Sequence, residues 1–317
     1  MSDALREAAE TAVHQCMALG AEESCAVVTD DERLPIGDTL YEVASGVTDD
    51  AVLLCYPPGE QHGTEPPAPV AAAMADADVV LAPTTKSLSH TRARKRACDA
   101  GARAATLPGI TEEVMIAGLD ADYEAIARGC REVLAQVEGA DEVRVTTPAG
   151  TDLTVEPGDR EWLTDTGMVH DPGDFSNLPA GETFVSPETA NGTYVVDGTM
   201  MPHGLLDEPL RFEVEDGYVT HISDDAVREQ VDAGRADVGD AAANLAELGI
   251  GTNVGVTELV GSVLLDEKAA GTVHVAIGDD ASIGGDTEAP LHLDGIIREP
   301  TVYADGSEVE LPTVERT

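Results

Sequence analysis

The chain has 317 residues, of which 61 are acidic and only 18 are Lys or Arg, giving a formal net charge of -43. This sign of charge argues against nucleic acid or an anionic membrane as a partner, because both would repel the chain. No apolar run approaches the ~20 residues needed to span a bilayer. The acidic residues are spread over a chain with regular apolar patterning, which favours adaptation to high salt over a disordered acidic tail.

Cysteine usage and the N-terminus bear on the compartment. The cysteines all lie in the first 130 residues and contain no CxxC pair; they are Cys16, Cys25, Cys55, Cys98 and Cys130. An odd count without paired spacing suits a reducing compartment better than a disulfide framework or a zinc knuckle. The first residues lack the basic and apolar regions of a signal peptide. We therefore expect a soluble, cytoplasmic protein.

The first half of the chain alternates strand-like and helical patterns. Short apolar runs read CAVVTD, AVLLCYP, DVVLAP and ARAATLP, and helical spacing occupies residues 3–19, 38–44, 67–75 and 89–100. Strands separated by helices of this length predict a parallel sheet covered on both faces. A further helix over 121–137 precedes the segment EGADEV. We predict an α/β domain over residues 1–138, ending there.

One loop of this half invites two interpretations. The segment APTTKSLSHTRAR places Lys86 and several hydroxyl side chains between a strand and a helix. The amides at the start of that helix could bind an anion. Alternatively, Ser87 or Ser89 simply caps the helix. No GxGxxG or GxxxxGK[ST] motif follows any of the strands, so a nucleotide-binding fingerprint is absent.

The second half has strand-like alternation punctuated by turn signals. These signals are Asn191-Gly192, Asp197-Gly198, Asp216-Gly217 and Asp305-Gly306, all typical of hairpins. One helical pattern, about 224–245, is predicted to break near Gly234. We predict a mixed α+β domain over residues 139–317 that carries a metal site.

Candidate ligands concentrate between residues 244 and 294. Carboxylates and imidazoles rarely enter apolar surroundings unpaired, and a divalent cation is the simplest common partner. His292 and Asp294 are two apart on a predicted strand and so share a face. Taken singly, each candidate has an ordinary alternative: a satisfied core histidine, a helix-end acid or a solvated acid. Together they form a nitrogen and oxygen ligand set suited to zinc, cobalt, manganese or iron, with enough carboxylates for two metals. The candidates are Glu182, Glu247, Glu267, His274, His292 and Asp294.

Four segments carry a resemblance to a known family. SNLPAGETF, AELGIGTN, LLDEKAAGTVHVAIG and PLHLDGII resemble, in that order, motifs of the M29 metallopeptidases of the aminopeptidase T group. The resemblance implies a cytoplasmic, homodimeric exopeptidase with a dinuclear centre in the C-terminal domain. It implies all six candidates as ligands, with Glu247 as the bridging carboxylate. We therefore expect a metal-dependent aminopeptidase that acts on a peptide or small-molecule substrate and uses two Zn, Co, Mn or Mg ions per chain.

The chain also departs from the peptidase pattern. Ala281 stands where the peptidases carry a tyrosine, and the spacing from Glu267 to His274 is slightly longer. The general base is unassigned, with Glu188 or Glu288 as nearby carboxylates. These departures point to weak turnover or a different substrate.

Two other classes of function remain open. The iron-dependent dioxygenase that opens 2,5-dihydroxypyridine is similar to the M29 peptidases. In that reading His274 and His292, with Asp294 or Glu247, would form a two-histidine, one-carboxylate iron site. Retention of all four carboxylates favours the peptidase, because one iron does not need them. A non-catalytic metal- or ligand-binding protein is the third class.

Overall fold

The computed structural model of the chain describes residues 2–313. Their contacts separate into two units. The first comprises the described residues up to Ala127 together with Asp165–Ala180, and the second comprises Arg128–Thr164 together with the described residues from Gly181 onward. The boundary predicted after residue 138 concerns independently folding domains and stays a prediction.

Helices and strands alternate in the first part of the described chain, and strands dominate the rest. The helices of the described chain are α1 (Asp3–Glu10), α2 (Leu34–Ser45), α3 (Ala68–Asp76), α4 (Arg92–Asp99), α5 (Glu112–Leu119), α6 (Tyr123–Val137), α7 (Asp225–Val238) and α8 (Val263–Asp266). A π-helix, Thr11–Cys16, continues α1, and a 3-10 helix, Gly239–Ala243, follows α7. The strands are β1 (Cys25–Asp30), β2 (Ala51–Tyr56), β3 (Val79–Thr84), β4 (Arg103–Pro108), β5 (Val143–Thr146), β6 (Asp152–Glu156), β7 (Leu163–Asp165), β8 (Phe175–Asn177), β9 (Glu182–Val185), β10 (Thr189–Val196), β11 (Thr199–Met200), β12 (Gly204–Leu205), β13 (Leu210–Glu215), β14 (Tyr218–Ile222), β15 (Leu245–Gly251), β16 (Val273–Gly278), β17 (His292–Ile297), β18 (Thr301–Ala304) and β19 (Ser307–Glu308).

The first unit is built on a parallel sheet in the order β2-β1-β3-β4-β8. Every residue of β1 and β3 is buried, as expected for strands covered on both faces. The predicted fold class, an α/β unit with a parallel sheet followed by a mixed α+β region, is confirmed. No helix among residues 2–313 combines the length and apolarity required to cross a membrane.

The loop before α4 resolves the two interpretations of its sequence. Thr91, not Ser87 or Ser89, caps the helix: its side chain accepts a hydrogen bond from Arg94 N at 3.2 Å. The carboxylate of Glu65 accepts hydrogen bonds from Arg92 N at 2.7 Å and Ala93 N at 3.1 Å. The hydrogen bond from Arg92 N is the largest cause of a lowered pKa at Glu65, and the bond from Ala93 N adds to it. The chain thus supplies its own anion to these helix N-terminal amides.

The second unit encloses one hydrophobic core between two sheets. Among the described residues, one sheet runs β14-β13-β10-β6-β5-β18-β19 and the other β12-β11-β17-β16-β15-β9-β7, each with seven strands. Side chains from both sheets enter the same cluster, including Leu153 and Tyr194 from the first and Leu248 and Val275 from the second. The second sheet therefore has one face committed to the core.

Two of the four dipeptides predicted to form hairpin turns do so, and two do not. Asp216-Gly217 and Asp305-Gly306 join antiparallel partners, with positive φ at all four residues. Asn191-Gly192 is no turn, because both residues lie inside β10. A Cβ on Gly192 would approach Asp152 O to 2.2 Å, so this glycine allows close approach of a neighbouring strand. Asp197-Gly198 connects β10 to β11, which belong to different sheets.

The predicted break of the long helix is misplaced. Gly234 lies within α7, where a Cβ would meet Leu291 Cδ2 at 2.6 Å and Ala242 Cβ at 2.9 Å. The helix ends instead at Gly239, which has a φ of 69°. Gly234 is thus a packing glycine, and Gly239 supplies the backbone conformation that ends a helix.

One ion pair of the first unit yields a stability prediction. The nearly buried Arg103 donates to both oxygens of Glu23 at 2.8 and 2.9 Å and to Met17 O at 3.0 Å. We expect Glu23→Gln to lower the free energy of unfolding by about 1–3 kcal/mol, because it leaves the guanidinium without its charged partner. Urea unfolding at high salt measures this, with Glu22→Gln, the exposed neighbouring acid, as the control.

The same pair has a defined pH dependence. Hydrogen bonds from Arg103 lower the pKa of Glu23 in the folded state. The stabilisation is therefore fully present above the ordinary carboxyl pKa and is lost as the pH falls through the lowered value. The difference in the free energy of unfolding between wild type and Glu23→Gln should shrink to near zero on acidification. A difference that persists at low pH, or that Glu22→Gln reproduces, would contradict this account.

Candidate metal centre

Strand register brings the candidate ligands to one face of the second sheet. Glu247 on β15 lies opposite Ala276 on β16, and Ala276 lies opposite Asp294 on β17. His292 precedes Asp294 by two residues and so points to the same face. On the other side of β15, Glu182 of β9 lies opposite Gly251. Four strands therefore contribute side chains to one surface.

Small residues make room for this cluster. A Cβ on Gly249, which lies opposite His274, would come within 2.0 Å of His274 Nε2. A Cβ on Gly251 would come within 2.2 Å of Ala269 O. The imidazole thus lies over bare backbone, which is why the strand sequence LAELGIG tolerates two glycines. The alternate residues, Leu248 and Ile250, enter the hydrophobic core on the opposite face.

Glu247 lies at the middle of the cluster, between two histidines. Its Oε1 is 3.2 Å from His274 Nε2, and its Oε2 is 3.4 Å from His292 Nε2. His274 Nε2 is also 3.4 Å from Glu182 Oε2, and His292 Nε2 is 3.4 Å from Asp294 Oδ1. Two groups with metal-ligand spacing share Glu247: Glu182, Glu247 and His274 form one, and Glu247, His292 and Asp294 form the other.

The two groups differ in access to solvent. The side chains of His274 and Glu182 are 1% and 8% exposed, whereas that of His292 is 34% exposed. The group containing His292 and Asp294 is therefore the one that a substrate can reach.

A buried lysine completes the closed side of the cluster. Lys268 is 3% exposed, and its Nζ contacts Glu182 Oε1 in a short hydrogen bond and Glu267 Oε1 at 2.8 Å. Glu267 is the C-cap residue of α8, and Lys268 follows it directly. Glu182 and Glu267 thus share an ammonium group supplied by the chain.

Burial and mutual charge set the protonation of the cluster. Burial raises the pKa of Glu182 to about 8, although Lys268 and His274 oppose that shift. Burial also raises the pKa of Glu267. Burial works against the charged imidazole of His274, but the hydrogen bond to Glu247 and the nearby carboxylates raise its pKa to about 9. The negative field that raises the pKa of His274 is also the electrostatic environment that a divalent cation prefers, and a metal ion would displace the proton from the ligating nitrogen.

Burial also opposes ionisation of Glu247 and Asp294, yet the pKa of each is lowered. At Glu247 the hydrogen bonds from His274 and His292 outweigh burial, and at Asp294 the charge of His292 does so. Both carboxylates therefore stay ionised, and an ionised carboxylate is the form that binds metal.

The residues present fit a bound metal ion. Glu182 Oε2 is buried, has no hydrogen-bond partner and lies 3.4 Å from His274 Nε2; such an atom is costly unless an ion or solvent satisfies it. The donor set contains nitrogen and oxygen but no sulfur, and it suits ferrous iron, manganese or zinc. Other metal-binding groups of three were not found within residues 2–313.

The loop between β16 and β17 orients His292. His292 Nδ1 is 2.7 Å from Asp279 O, so its N–H donates to that carbonyl and Nε2 faces the cluster. The next residue, Asp280, is 3% exposed and holds the loop. Its Oδ2 accepts from Ser186 Oγ at 3.0 Å and Asn244 Nδ2 at 2.9 Å, and its Oδ1 accepts from Thr287 N at 2.6 Å.

We expect Asp280→Asn to weaken metal binding by about 10- to 100-fold, the usual effect of disturbing a group that orients a ligand. The amide nitrogen would face at least one donor that the carboxylate accepts from. Asp286→Asn, an exposed position in the same loop, should leave metal affinity within about twofold. Titration with Mn(II) in high salt measures both. Equal affinities for the two variants would show that Asp280 does not position His292.

All six predicted ligands lie in this cluster, although Glu267 enters it through Lys268. Glu247, expected after a helix, lies inside β15. The carboxylate of Glu188 accepts from Asp159 N at 3.2 Å, and Glu288 is exposed. Sequence reasoning missed Lys268, Asp279 and Asp280. Lys268 could have been noticed as one of only three lysines, placed directly after an acid between apolar runs.

The comparisons with known proteins decide the family. A family model described as "NicX: 2,5-dihydroxypyridine 5,6-dioxygenase" matches residues 57–311. The chain belongs to the NicX family. A 2,5-dihydroxypyridine 5,6-dioxygenase from Pseudomonas putida KT2440 is 26% identical over 198 residues. That alignment covers 57% of this chain and 57% of the relative, so it spans little more than half of either protein.

Two solved structures share the fold. The 2,5-dihydroxypyridine dioxygenase of P. putida KT2440 has a TM-score of 0.79 at 21% identity and covers 100% of this chain and 99% of its own. AmpT from Thermus thermophilus has a TM-score of 0.68 at 21% identity and covers 96% of each chain. The second likeness is one of fold alone, and the predicted membership of the M29 peptidases is not confirmed.

The aminopeptidase prediction is wrong. The family model and the curated relative both name a dioxygenase, which is an oxidoreductase and not a hydrolase. The prediction relied on four carboxylates as a sign of two metals, but in the structure Lys268 contacts two of them. The carboxylate count therefore does not require a second ion. The replacement of the peptidase tyrosine by Ala281 is consistent with this correction.

Proposed function

We propose that this protein is an iron-dependent dioxygenase that opens the ring of a dihydroxylated pyridine, with 2,5-dihydroxypyridine as the expected substrate. The family match over residues 57–311 carries this proposal, because it includes every residue of the candidate metal centre. In the reaction named for the relative, the C5–C6 bond breaks and each of these carbons gains one atom of O2. The atoms balance without an external reductant.

We assign the iron to Glu247, His292 and Asp294. These side chains form the more exposed of the two metal-spaced groups, and an oxygenase must leave positions open for its substrate. When bound, ferrous iron would supply the one-electron chemistry through which O2 reacts with an electron-rich ring. This set of one histidine and two carboxylates differs from the expected two-histidine, one-carboxylate site. Within residues 2–313, His274 and His292 fall in different metal-spaced groups.

The chain's own residues prepare this site in three ways. The carbonyl of Asp279 fixes the tautomer of His292, so that Nε2 is available as a ligand. His274 holds the other oxygen of Glu247 and restricts the rotation of that carboxylate. The opposite face of the sheet packs into the hydrophobic core through residues such as Leu248, Ile250 and Val275, which excludes water from that side.

Substrate turnover by the reconstituted protein tests the proposal. Apo-protein in molar salt is loaded anaerobically with Fe(II), mixed with 2,5-dihydroxypyridine and then exposed to air. We expect oxygen-dependent loss of the ring absorbance, and little loss with the Zn(II)-loaded protein. Monohydroxypyridines serve as controls, because they lack one of the two hydroxyl groups. The proposal would be contradicted if the ring absorbance fell equally without added iron, or if it did not fall with Fe(II) bound at full occupancy.

A further inference from the structure

Lys268 lies where a second metal ion would otherwise be needed. We propose that its ammonium group is a built-in cation which limits the cluster to one divalent ion, and that its removal opens a second metal site at Glu182, Glu247 and His274. This inference rests on the proposed metal centre but not on the identity of the substrate. It concerns how many ions the cluster binds.

The position of Lys268 is fixed by two carboxylates from separate elements. Glu182 comes from β9, and Glu267 caps α8. The Nζ contacts one oxygen of each, and the side chain is 4% exposed. A lysine so deeply buried is retained only when its charge is paired. The contact leaves Glu182 Oε2 directed at His274 Nε2, 3.4 Å away.

Charge balance favours one divalent ion while Lys268 is present. The cluster contains four carboxylates: Glu182, Glu247, Glu267 and Asp294. One divalent ion and one ammonium leave a single excess negative charge, which one retained proton neutralises. A second divalent ion would make the buried cluster positive and would lie beside the ammonium, and both effects are unfavourable in a region that excludes water.

Loss of the ammonium reverses this balance. With Lys268 replaced by an uncharged residue, two divalent ions would neutralise the four carboxylates. The ligands for the second ion are already in place, because Glu182, Glu247 and His274 have metal-ligand spacing. Glu247 belongs to both groups, and its two oxygens face different histidines. It would therefore bridge the two ions, as carboxylates do in two-metal centres.

The experiment counts bound Mn(II) in wild type and in Lys268→Met. Each apo-protein is equilibrated with Mn(II) in molar KCl, which screens adventitious binding to the acidic surface, and the bound metal per chain is measured. We expect one ion for wild type and two for Lys268→Met. Electron paramagnetic resonance gives a second readout: isolated Mn(II) in wild type, and an exchange-coupled pair in the variant.

Matched variants separate the charge of Lys268 from other effects. Lys95→Met removes an exposed lysine paired with Asp99 and should bind one ion. Lys268→Arg keeps the positive charge and should also bind one. If Lys268→Met does not fold, Lys268→Gln removes the charge and retains a hydrogen-bond donor near Glu182. The double variant Lys268→Met with Glu182→Gln should return to one ion, because the second site loses a ligand.

Two results would overturn the proposal. One is an exchange-coupled pair in wild type, since Lys268 would then not limit the site. The other is a single ion in a folded Lys268→Met or Lys268→Gln protein. Neither depends on ring cleavage. A protein that follows the expected metal counts but does not consume dihydroxypyridine would refute the proposed function and leave the role of Lys268 intact.

Discussion

Replacing Glu247 by glutamine is expected to remove metal binding and turnover together. Glu247 is 6% exposed and contacts both histidines of the cluster. The amide would place an N–H group against a nitrogen that now faces a carboxylate oxygen, and it would remove a negative charge from the metal. Disturbing a group that only orients a ligand costs about 10- to 100-fold in affinity or activity. A direct ligand should cost more than about 100-fold.

Metal content and steady-state turnover measure this effect in the same preparation. Glu215→Gln is the matched control, because it makes the same substitution at an exposed strand position in β13. The control should retain wild-type metal content and activity. A Glu247→Gln protein that keeps both would exclude Glu247 from the metal centre.

Dilution of salt is expected to destabilise the whole protein. The formal net charge is -43 over 317 residues, and repulsion among surface carboxylates extends farther as screening weakens. The screening length grows from about 3 Å at 1 M salt to about 10 Å at 0.1 M. We expect the melting temperature to fall by about 10 °C or more between about 2 M and about 0.1 M KCl, which corresponds to several kcal/mol for a chain of this size.

Sucrose at matched osmolality distinguishes screening from solute exclusion. It stabilises proteins by exclusion from the surface but does not screen charge. If the acidic surface is an adaptation to salt, sucrose should recover only a small part of the loss at low KCl. A melting temperature that is independent of KCl would contradict this explanation of the composition.

Periodicity predicted much of the fold and part of the site. The runs CAVVTD, AVLLCYP, DVVLAP and ARAATLP became the parallel strands β1 to β4. Buried parallel strands are nearly continuous in apolar residues, which holds for β1, β3 and β4, whereas β2 is partly exposed. His292 and Asp294 share a face of β17, as their spacing of two requires. Each of these predictions depends only on local sequence.

Features that depend on partners distant in sequence could not be predicted in this way. Glycine is rare inside strands, and the segment LAELGIG contains two glycines. They lie inside β15 because the ring of His274 and the carbonyl of Ala269 approach its backbone. Asn191-Gly192 is misleading for the same reason. Lys268 contacts Glu182, which is 86 residues away along the chain.

The aminopeptidase prediction failed because the pairing of Lys268 with two carboxylates cannot be read from the sequence. Four carboxylates and two histidines suit two metal ions when counted from sequence alone. The count changes once Lys268 is placed against Glu182 and Glu267. Two local departures from the peptidase pattern, Ala281 in place of the tyrosine and the longer spacing from Glu267 to His274, had pointed to weak turnover or a different substrate.

Isotope labelling of the product tests the central claim most directly. Fe(II)-loaded protein is supplied with 2,5-dihydroxypyridine under heavy-isotope oxygen gas, and in a parallel sample under ordinary oxygen in heavy-isotope water. A dioxygenase places both atoms of O2 in the ring-opened product, so mass spectrometry should find two heavy oxygen atoms in the first sample. A product labelled only from water, or no ring opening with iron bound, would contradict the assignment.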